Sequence, residues 1–162
     1  MTDEKLYQLA ERVGTVLKAK GLMLAAAESC TGGWIAQAVT AVPGSSEWFE
    51  RGFVTYTYIS KREMLGVNLE TLESHGAVSE ETVAEMTAGA LARSHAQVAV
   101  SVSGTAGPSG GTPQKPVGTV CFGWGAKGGV VQTAVRHYDG DREAVRRQAV
   151  VFALERVLVL VE

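Results

Sequence analysis

The chain has few cysteines, few histidines and no excess of positive charge. Its 162 residues include only two cysteines, Cys30 and Cys121, and three scattered histidines. These residues do not have the spacing of a zinc site, so we expect no bound metal. Two cysteines in a reducing cytosol also make a structural disulfide improbable. The formal net charge of −2 argues against a non-specific nucleic-acid binder, because such proteins usually carry a basic stripe.

Long hydrophobic runs are also missing. No apolar run approaches the ~20 residues of a membrane-spanning helix, so we expect no membrane association. The first five residues, Met1–Lys5, are polar and lack the apolar core of a signal peptide, which predicts a cytoplasmic protein. Hydrophobic residues nevertheless make up 46% of the chain, enough for a full core. We expect one domain over residues 1–162.

Helical and strand-like segments alternate in the first part of the chain, and two strands follow one another late. The expected helices cover 3–19, a segment from Trp34, a short turn at 61–65, about 80–95, and a last helix opened by 139–141. The expected strands cover 22–26, 52–59, 97–102, 117–124 and 130–137, with a loop over 103–116. This order predicts an α/β fold, namely a three-layer α/β/α domain with a mixed β-sheet. In such sheets ligands bind on loops beyond the carboxyl ends of the strands.

The most informative segment runs from Ala27 to Gly33, where the expected strand turns into the expected helix. Backbone N–H groups are free at a helix N-terminus, so the turn can hold an anion or present Ser29 as a nucleophile beside oxyanion donors. The simpler alternative is that Ser29 or Thr31 only caps the helix. Cys30 is a second possible nucleophile, but we favour a small buried residue there because no histidine is placed to activate it.

Lys61 and a glycine-rich loop provide further candidate groups. A lysine can take the proton of a serine if desolvation lowers its pKa, whereas the common alternative is an exposed surface lysine. The loop Ser103–Gly111 follows a strand, and its glycines allow a ligand to approach backbone N–H groups. The alternative for this segment is a flexible surface loop, although long loops in compact domains are often functional.

Four other side chains leave two interpretations each. Tyr56 either hydrogen-bonds the substrate or the serine, or packs on the core as a strand aromatic. Arg142 and Arg146 lie four apart, which suits phosphate recognition or simply a solvated helix face. Glu28 can orient Lys61 or a substrate amide, and a buried carboxylate requires a partner.

Motifs along nearly the whole chain match those of a known family in their order and spacing. They are Ala27–Gly33, Pro43–Ser46, Gly52–Tyr56 with Lys61, Leu65–Val67, Gly76–Glu80, Ser103–Gly104 with Ala106–Pro108, Gly110–Gly111, Lys115–Gly118 and Gly140–Arg142. Together they resemble the CinA C-terminal domain family, whose characterised members are nicotinamide mononucleotide deamidases.

The resemblance implies hydrolysis of the nicotinamide carboxamide to nicotinate mononucleotide and ammonia, without a metal or cofactor. It implies that Ser29 is the nucleophile, that Lys61 is its general base and that Tyr56 positions or shares the proton. Backbone N–H groups near Cys30 and Thr31 would stabilise the oxyanion. The expected substrate-binding residues are Glu28, Cys30, Thr31, Gly32, Gly33, Tyr58, Ser103, Gly104, Thr105, Gly107, Arg142 and Arg146.

Two positions depart from the family pattern. Tyr58 stands where the family usually has asparagine, and Thr105 stands where it usually has isoleucine. Both positions fall in segments assigned to the pocket, and a site that loses one hydrogen-bonding group can lose much activity. The alternative function is therefore a catalytically impaired paralogue that binds a nucleotide in a regulatory role.

The last expected helix is apolar on more than one face. Such a helix is either buried within its own domain or partly covered by a second subunit. We expect a homo-oligomer on this basis.

Overall fold

A computed structural model describes residues 3–162 and has a mixed five-stranded sheet between two layers of helices. The expected single domain begins at residue 1, and residues 1 and 2 lie outside the described range. The elements are α1 (Glu4–Ala19), β1 (Leu24–Glu28), α2 (Trp34–Thr40), β2 (Phe49–Val54), α3 (Tyr58–Leu65), α4 (Leu69–His75), α5 (Glu80–Ala92), β3 (Val98–Gly104), β4 (Thr119–Ala126), β5 (Gln132–His137) and α6 (Arg142–Val161).

The strand order is β2-β1-β3-β4-β5. β1 runs parallel to both β2 and β3, whereas the β3–β4 and β4–β5 pairs are antiparallel. The predicted mixed sheet and the late hairpin are therefore confirmed. The carboxyl ends of the parallel strands β1, β2 and β3 meet at one edge of the sheet, and the Ser29 turn leaves from this edge.

The two faces of the sheet carry side chains of different size. Toward α1, α2 and α6 the strands present large residues such as Val100, Phe122 and Trp124. Toward α5 the strands β1, β3 and β4 present small ones, namely Ala25, Ala27, Ala99, Ser101, Cys121 and Gly123. A Cβ atom on Gly123 would lie 2.5 Å from the Thr87 hydroxyl of α5, so this helix packs directly on the backbone of β4.

The segment around Tyr56 differs from the sequence-based prediction. A strand was expected over 52–59, but β2 ends at Val54 and Tyr58 begins α3. The helix starts there because Thr57 and Ser60 form a capping box, in which each side chain bonds the backbone N–H of the other residue. Tyr56 is 59% exposed, so its interpretation as a core strand aromatic is wrong.

Helix α6 buries most of its apolar surface inside the protein. The buried residues are Val145, Ala149, Val150, Ala153, Leu154, Val157, Leu158 and Val161. Phe152 packs edge-on against Phe122 and Trp124, while Val159 remains exposed. Intramolecular packing therefore accounts for nearly all of the apolar surface of the helix, and the homo-oligomer stays a prediction. No helix within residues 3–162 is long and apolar enough to cross a membrane.

Candidate active site

Ser29 lies in the turn between β1 and α2, at the carboxyl edge of the sheet. Its N–H donates to Val102 O of β3, and its C=O accepts from the Gly32 N–H, both at 3.0 Å. The capping interpretation of Ser29 and Thr31 is wrong, because Gly33 is the N-cap residue of α2 and offers no side chain. The Ser29 hydroxyl is therefore not used in capping.

The buried Glu28 carboxylate accepts hydrogen bonds from the free N–H groups at the N-terminus of α2. It accepts from the Thr31 hydroxyl at 2.6 Å and from the N–H groups of Ile35 and Ala36 at 2.8 and 3.0 Å. Helix N-terminal N–H groups stabilise a buried negative charge in this way. The expectation that the Glu28 side chain orients Lys61 or a substrate amide is wrong, since both carboxylate oxygens face the helix. For the same reason these N–H groups of α2 do not hold a substrate phosphate.

Lys61 is buried against the serine. Its side chain projects from α3 with the residue only 1% exposed, and its Nζ lies 2.9 Å from Ser29 Oγ and 2.8 Å from the Thr55 carbonyl oxygen. Burial disfavours the charged ammonium and lowers the pKa of Lys61 to about 8. The alternative of an exposed surface lysine is thus wrong. A lysine with this pKa is partly neutral near pH 7 and can accept a proton from a serine hydroxyl.

Thr55 is a residue of the site that the sequence reasoning missed. It is fully buried, and its N–H donates to the carbonyl oxygen of Glu28 at 2.8 Å. Its own carbonyl oxygen accepts from Lys61 Nζ, which fixes the direction of the amine relative to Ser29. Because the contribution comes from the backbone, only the position of Thr55, directly after β2, could have indicated it.

Cys30 lies next to Ser29 and is 6% exposed. Burial raises the pKa of its thiol to about 12, so the thiolate is scarce at neutral pH. This agrees with the expectation of a small buried residue and removes Cys30 as a competing nucleophile.

A cavity of about 330 Å³ opens above Ser29 and Lys61, within the size range of small-ligand sites. Its lining includes ten predicted site residues: Ser29, Cys30, Tyr56, Tyr58, Lys61, Ser103, Gly104, Thr105, Gly107 and Arg142. It also includes Ala77 and Val78 between α4 and α5, to which the sequence analysis gave no role, and Ala106 and Ser109 of the glycine-rich loop. The first part of the loop, Ser103–Gly107, is thus a wall of the cavity, whereas Pro108–Gly111 is exposed.

Five residues predicted to bind substrate lie outside this lining. They are Glu28, Thr31, Gly32, Gly33 and Arg146. Thr31 is fully buried because the turn folds back onto α2 and α6, whereas Gly32 is exposed on the other side of the turn from the cavity. Arg146 donates to the carbonyl oxygens of Cys30 and Thr31 instead of facing the cavity.

Arg142 and Tyr56 meet at the mouth of the cavity. The Arg142 guanidinium donates to Gly107 O at 2.8 Å and to the Tyr56 hydroxyl at 3.0 Å. Both acceptors are neutral, and no carboxylate within residues 3–162 forms an ion pair with Arg142. The cavity therefore has one uncompensated positive charge at its rim, which suits an anionic group. The Tyr56 hydroxyl contacts this arginine, not Ser29.

Residues 3–162 contain no group of three or more histidine, cysteine, aspartate or glutamate side chains placed to bind a metal ion. The reactive groups of the cavity are therefore a serine, a lysine of lowered pKa, an arginine and backbone N–H groups.

Known proteins of similar sequence and structure share this fold. The family model described as "CinA C-terminal domain" matches residues 6–161. The chain is 56% identical over 158 residues to "Nicotinamide-nucleotide amidohydrolase PncC" of Enterobacter agglomerans, covering 98% of this chain and 96% of that protein. It is 55% identical over 155 residues to the Escherichia coli K12 protein of the same name, covering 96% and 94%.

Among solved structures, the competence/damage inducible protein CihA from Agrobacterium tumefaciens superposes with a TM-score of 0.94 at 47% identity, covering 97% of this chain and 96% of that one. A CinA superfamily protein from Klebsiella pneumoniae gives a TM-score of 0.92 at 41% identity, with coverage of 96% and 97%. Both sequence and structure match over nearly the full length. The chain belongs to the CinA C-terminal domain family.

Proposed function

We propose that the protein hydrolyses the carboxamide of nicotinamide mononucleotide to give nicotinate mononucleotide and ammonia. The observation that carries the proposal is the buried 2.9 Å contact between Lys61 Nζ and Ser29 Oγ. The names of relatives that are 55–56% identical over nearly the full chain supply the substrate. A serine and a lysine of lowered pKa are chemically sufficient for amide hydrolysis.

In the first half of the reaction, Ser29 Oγ attacks the carboxamide carbon while neutral Lys61 takes the hydroxyl proton. The Thr55 carbonyl holds one N–H of the amine, which directs the nitrogen lone pair toward Ser29. Backbone N–H groups of the turn stabilise the negative oxygen of the tetrahedral intermediate. The C–N bond then breaks, Lys61 returns its proton to the leaving nitrogen, and ammonia departs from an ester on Ser29.

In the second half, water attacks the ester carbon and gives a proton to Lys61. Collapse of the second tetrahedral intermediate breaks the bond to Ser29 Oγ, which regains a proton from Lys61. The product carries a carboxylate where the substrate carried the amide. Lys61 thus acts as base and then acid in each half, for which a pKa of about 8 is suited near neutral pH.

The rest of the cavity is assigned to the nucleotide. Arg142 is the cation placed to bind the phosphate, since it meets only neutral acceptors. Ser103 and Thr105 provide hydroxyl groups for the ribose, and Tyr58 provides an aromatic surface at the mouth. Tyr56 holds Arg142 in place through its hydroxyl.

The test is to incubate the purified protein with nicotinamide mononucleotide and to measure ammonia and nicotinate mononucleotide. We expect turnover that rises with pH through about 8, because only neutral Lys61 can accept the proton. Ser29→Ala should abolish it, whereas Ser46→Ala, at an exposed serine outside the cavity lining, should leave it unchanged. Absence of ammonia release at every pH from 6 to 9 would refute the proposal.

The impaired paralogue is kept as a second candidate because Tyr58 and Thr105 both line the cavity. It predicts nucleotide binding without turnover, and restoration of hydrolysis by Tyr58→Asn. If the unsubstituted protein is active and Tyr58→Asn leaves its rate unchanged, this second function is excluded.

We also propose a cytoplasmic location and a homo-oligomeric state. Both cysteines are free and buried, which fits a reducing compartment. Val159 of α6 is 65% exposed and is the apolar surface of this helix that a second subunit would cover. Cell fractionation and light scattering test the two points.

A further inference from the structure

Arg146 lies behind the active-site turn, on the side opposite the cavity. Its Nε donates to the carbonyl oxygen of Cys30 at 3.0 Å and its Nη2 donates to that of Thr31 at 3.2 Å. The guanidinium also lies over the ring of Trp34, 5.5 Å from its centroid. Three contacts from one side chain thus fix the guanidinium against the two peptide groups that follow the nucleophile.

The hydrogen bond from Arg146 to Thr31 is connected to the Ser29–Cys30 peptide through a second hydrogen bond inside the turn. In a planar trans peptide the C=O and the N–H point in opposite directions. Arg146 and, at 3.0 Å, the Trp34 N–H both donate to the Thr31 C=O. The Gly32 N–H in the same peptide is therefore directed away from the arginine, and it donates to Ser29 O at 3.0 Å. Ser29 O shares its peptide with the Cys30 N–H, so this second N–H is directed away from the turn.

Two backbone donors near the nucleophile, the N–H groups of Cys30 and Thr31, have no acceptor on another residue within residues 3–162, and that of Cys30 directly follows Ser29. The Ser29 N–H is occupied by Val102 O, and the Gly32 N–H by Ser29 O. Cys30 also lines the cavity. An N–H on the residue after a nucleophilic serine is well placed to donate to the oxyanion.

We infer that Arg146 is a positioning residue that orients the Cys30 N–H as an oxyanion donor, acting through the Thr31–Gly32 and Ser29–Cys30 peptides. The inference rests on the proposed amidohydrolase function. The positive charge of Arg146 polarises the Thr31–Gly32 peptide, which in turn polarises the Ser29–Cys30 peptide. The Cys30 N–H thereby becomes a stronger hydrogen-bond donor. Gly32 allows the Arg146 guanidinium to lie close to the backbone of the turn, because a Cβ there would lie 3.3 Å from Arg146 Nη2. Its φ of +58° also disfavours any residue with a side chain.

The test compares nicotinamide mononucleotide with its thioamide analogue, in which sulfur replaces the carboxamide oxygen. Sulfur is a weaker hydrogen-bond acceptor than oxygen, so an oxyanion donor favours the oxygen substrate. We expect Arg146→Met to lower kcat by ~10–100-fold on the oxygen substrate. We expect KM to change less than about threefold, because the donor acts mainly in the transition state. The ratio of kcat on the oxygen substrate to kcat on the thioamide should be lower in Arg146→Met than in the unsubstituted protein.

Arg147→Met is the matched control, because Arg147 follows Arg146 on α6 but pairs with Asp3 outside the cavity. It should leave the rate ratio unchanged. Arg146→Lys, which keeps the charge but can reach only one carbonyl, should give an intermediate ratio, and it decides the question if Arg146→Met does not fold.

A lower kcat with an unchanged rate ratio in both Arg146 variants overturns the inference, because a loss of general structure affects both substrates alike. An unchanged kcat overturns it as well. Failure of the unsubstituted protein to hydrolyse either substrate instead refutes the proposed function, and the inference with it.

Discussion

Burial of Lys61 should reduce the stability of the folded protein at neutral pH, and Lys61→Met should reveal this cost. The lysine is 1% exposed and its pKa is lowered from 10.5 to about 8 by burial. Protonation is therefore less favourable in the folded state than in the unfolded state. Each unit of pKa difference corresponds to ~1.4 kcal/mol, so the full penalty is ~3 kcal/mol.

The sign of the pH dependence follows from proton counts. Well below pH 8 both states hold the proton and the whole penalty is present. Between pH 8 and 10.5 the unfolded state binds more protons than the folded state, so the free energy of unfolding rises with pH. Between about pH 7 and about pH 9.5 the penalty decreases by ~2 kcal/mol in the unsubstituted protein, and it is absent from the Lys61→Met variant.

The substitution also removes the hydrogen bond to Thr55 O, which costs ~1–3 kcal/mol at every pH. This loss cancels when the two pH values are compared. Urea unfolding of both proteins at the two pH values measures the change. Lys127→Met, at an exposed lysine in the β4–β5 turn, is the control. A stability difference between unsubstituted protein and Lys61→Met that is the same at both pH values would refute the burial argument.

Two other groups of the cavity give simple expectations. If Arg142 binds the phosphate as proposed, Arg142→Ala should raise KM for nicotinamide mononucleotide by ~10–100-fold, and much less for the unphosphorylated riboside. Equal effects on both substrates, in steady-state assays, would show that Arg142 has another role. Iodoacetamide at about pH 8 should modify Cys30 far more slowly in the folded than in the unfolded protein, since burial raises the pKa of this thiol to about 12. Intact-mass and peptide analysis measures this rate, and rapid modification of folded protein contradicts the expected burial.

The sequence predicted the succession of elements well because hydrophobic periodicity and capping residues are local signals. Helix α5 shows this, since it covers Glu80–Ala92 where a helix was expected over about 80–95, and the Ser79 hydroxyl caps it by accepting from the Thr82 N–H. The strand over 52–59 was wrong in extent because β-branched and aromatic residues continue past Val54. The Thr57–Ser60 capping box overrides that propensity.

Ten of the fifteen predicted site residues line the cavity, but the sequence did not predict which way the other side chains face. Sequence motifs grouped Ser29, Lys61 and Arg142, and all three line one cavity. They did not reveal that Arg146 faces the opposite side of the turn, since Arg142 and Arg146 share one helix face in sequence. Which arginine reaches the cavity depends on how α6 packs across the turn, and that is a property of the tertiary structure.

Glu28 connects the segment that carries Ser29 to the segment that holds Lys61. Its carboxylate secures α2 beyond Ser29, and its carbonyl oxygen holds Thr55, which in turn holds Lys61. Ser29 and Lys61, the proposed nucleophile and base, are therefore both tied to one residue at the end of a central strand. Any displacement of Glu28 should therefore shift Ser29 and Lys61 together.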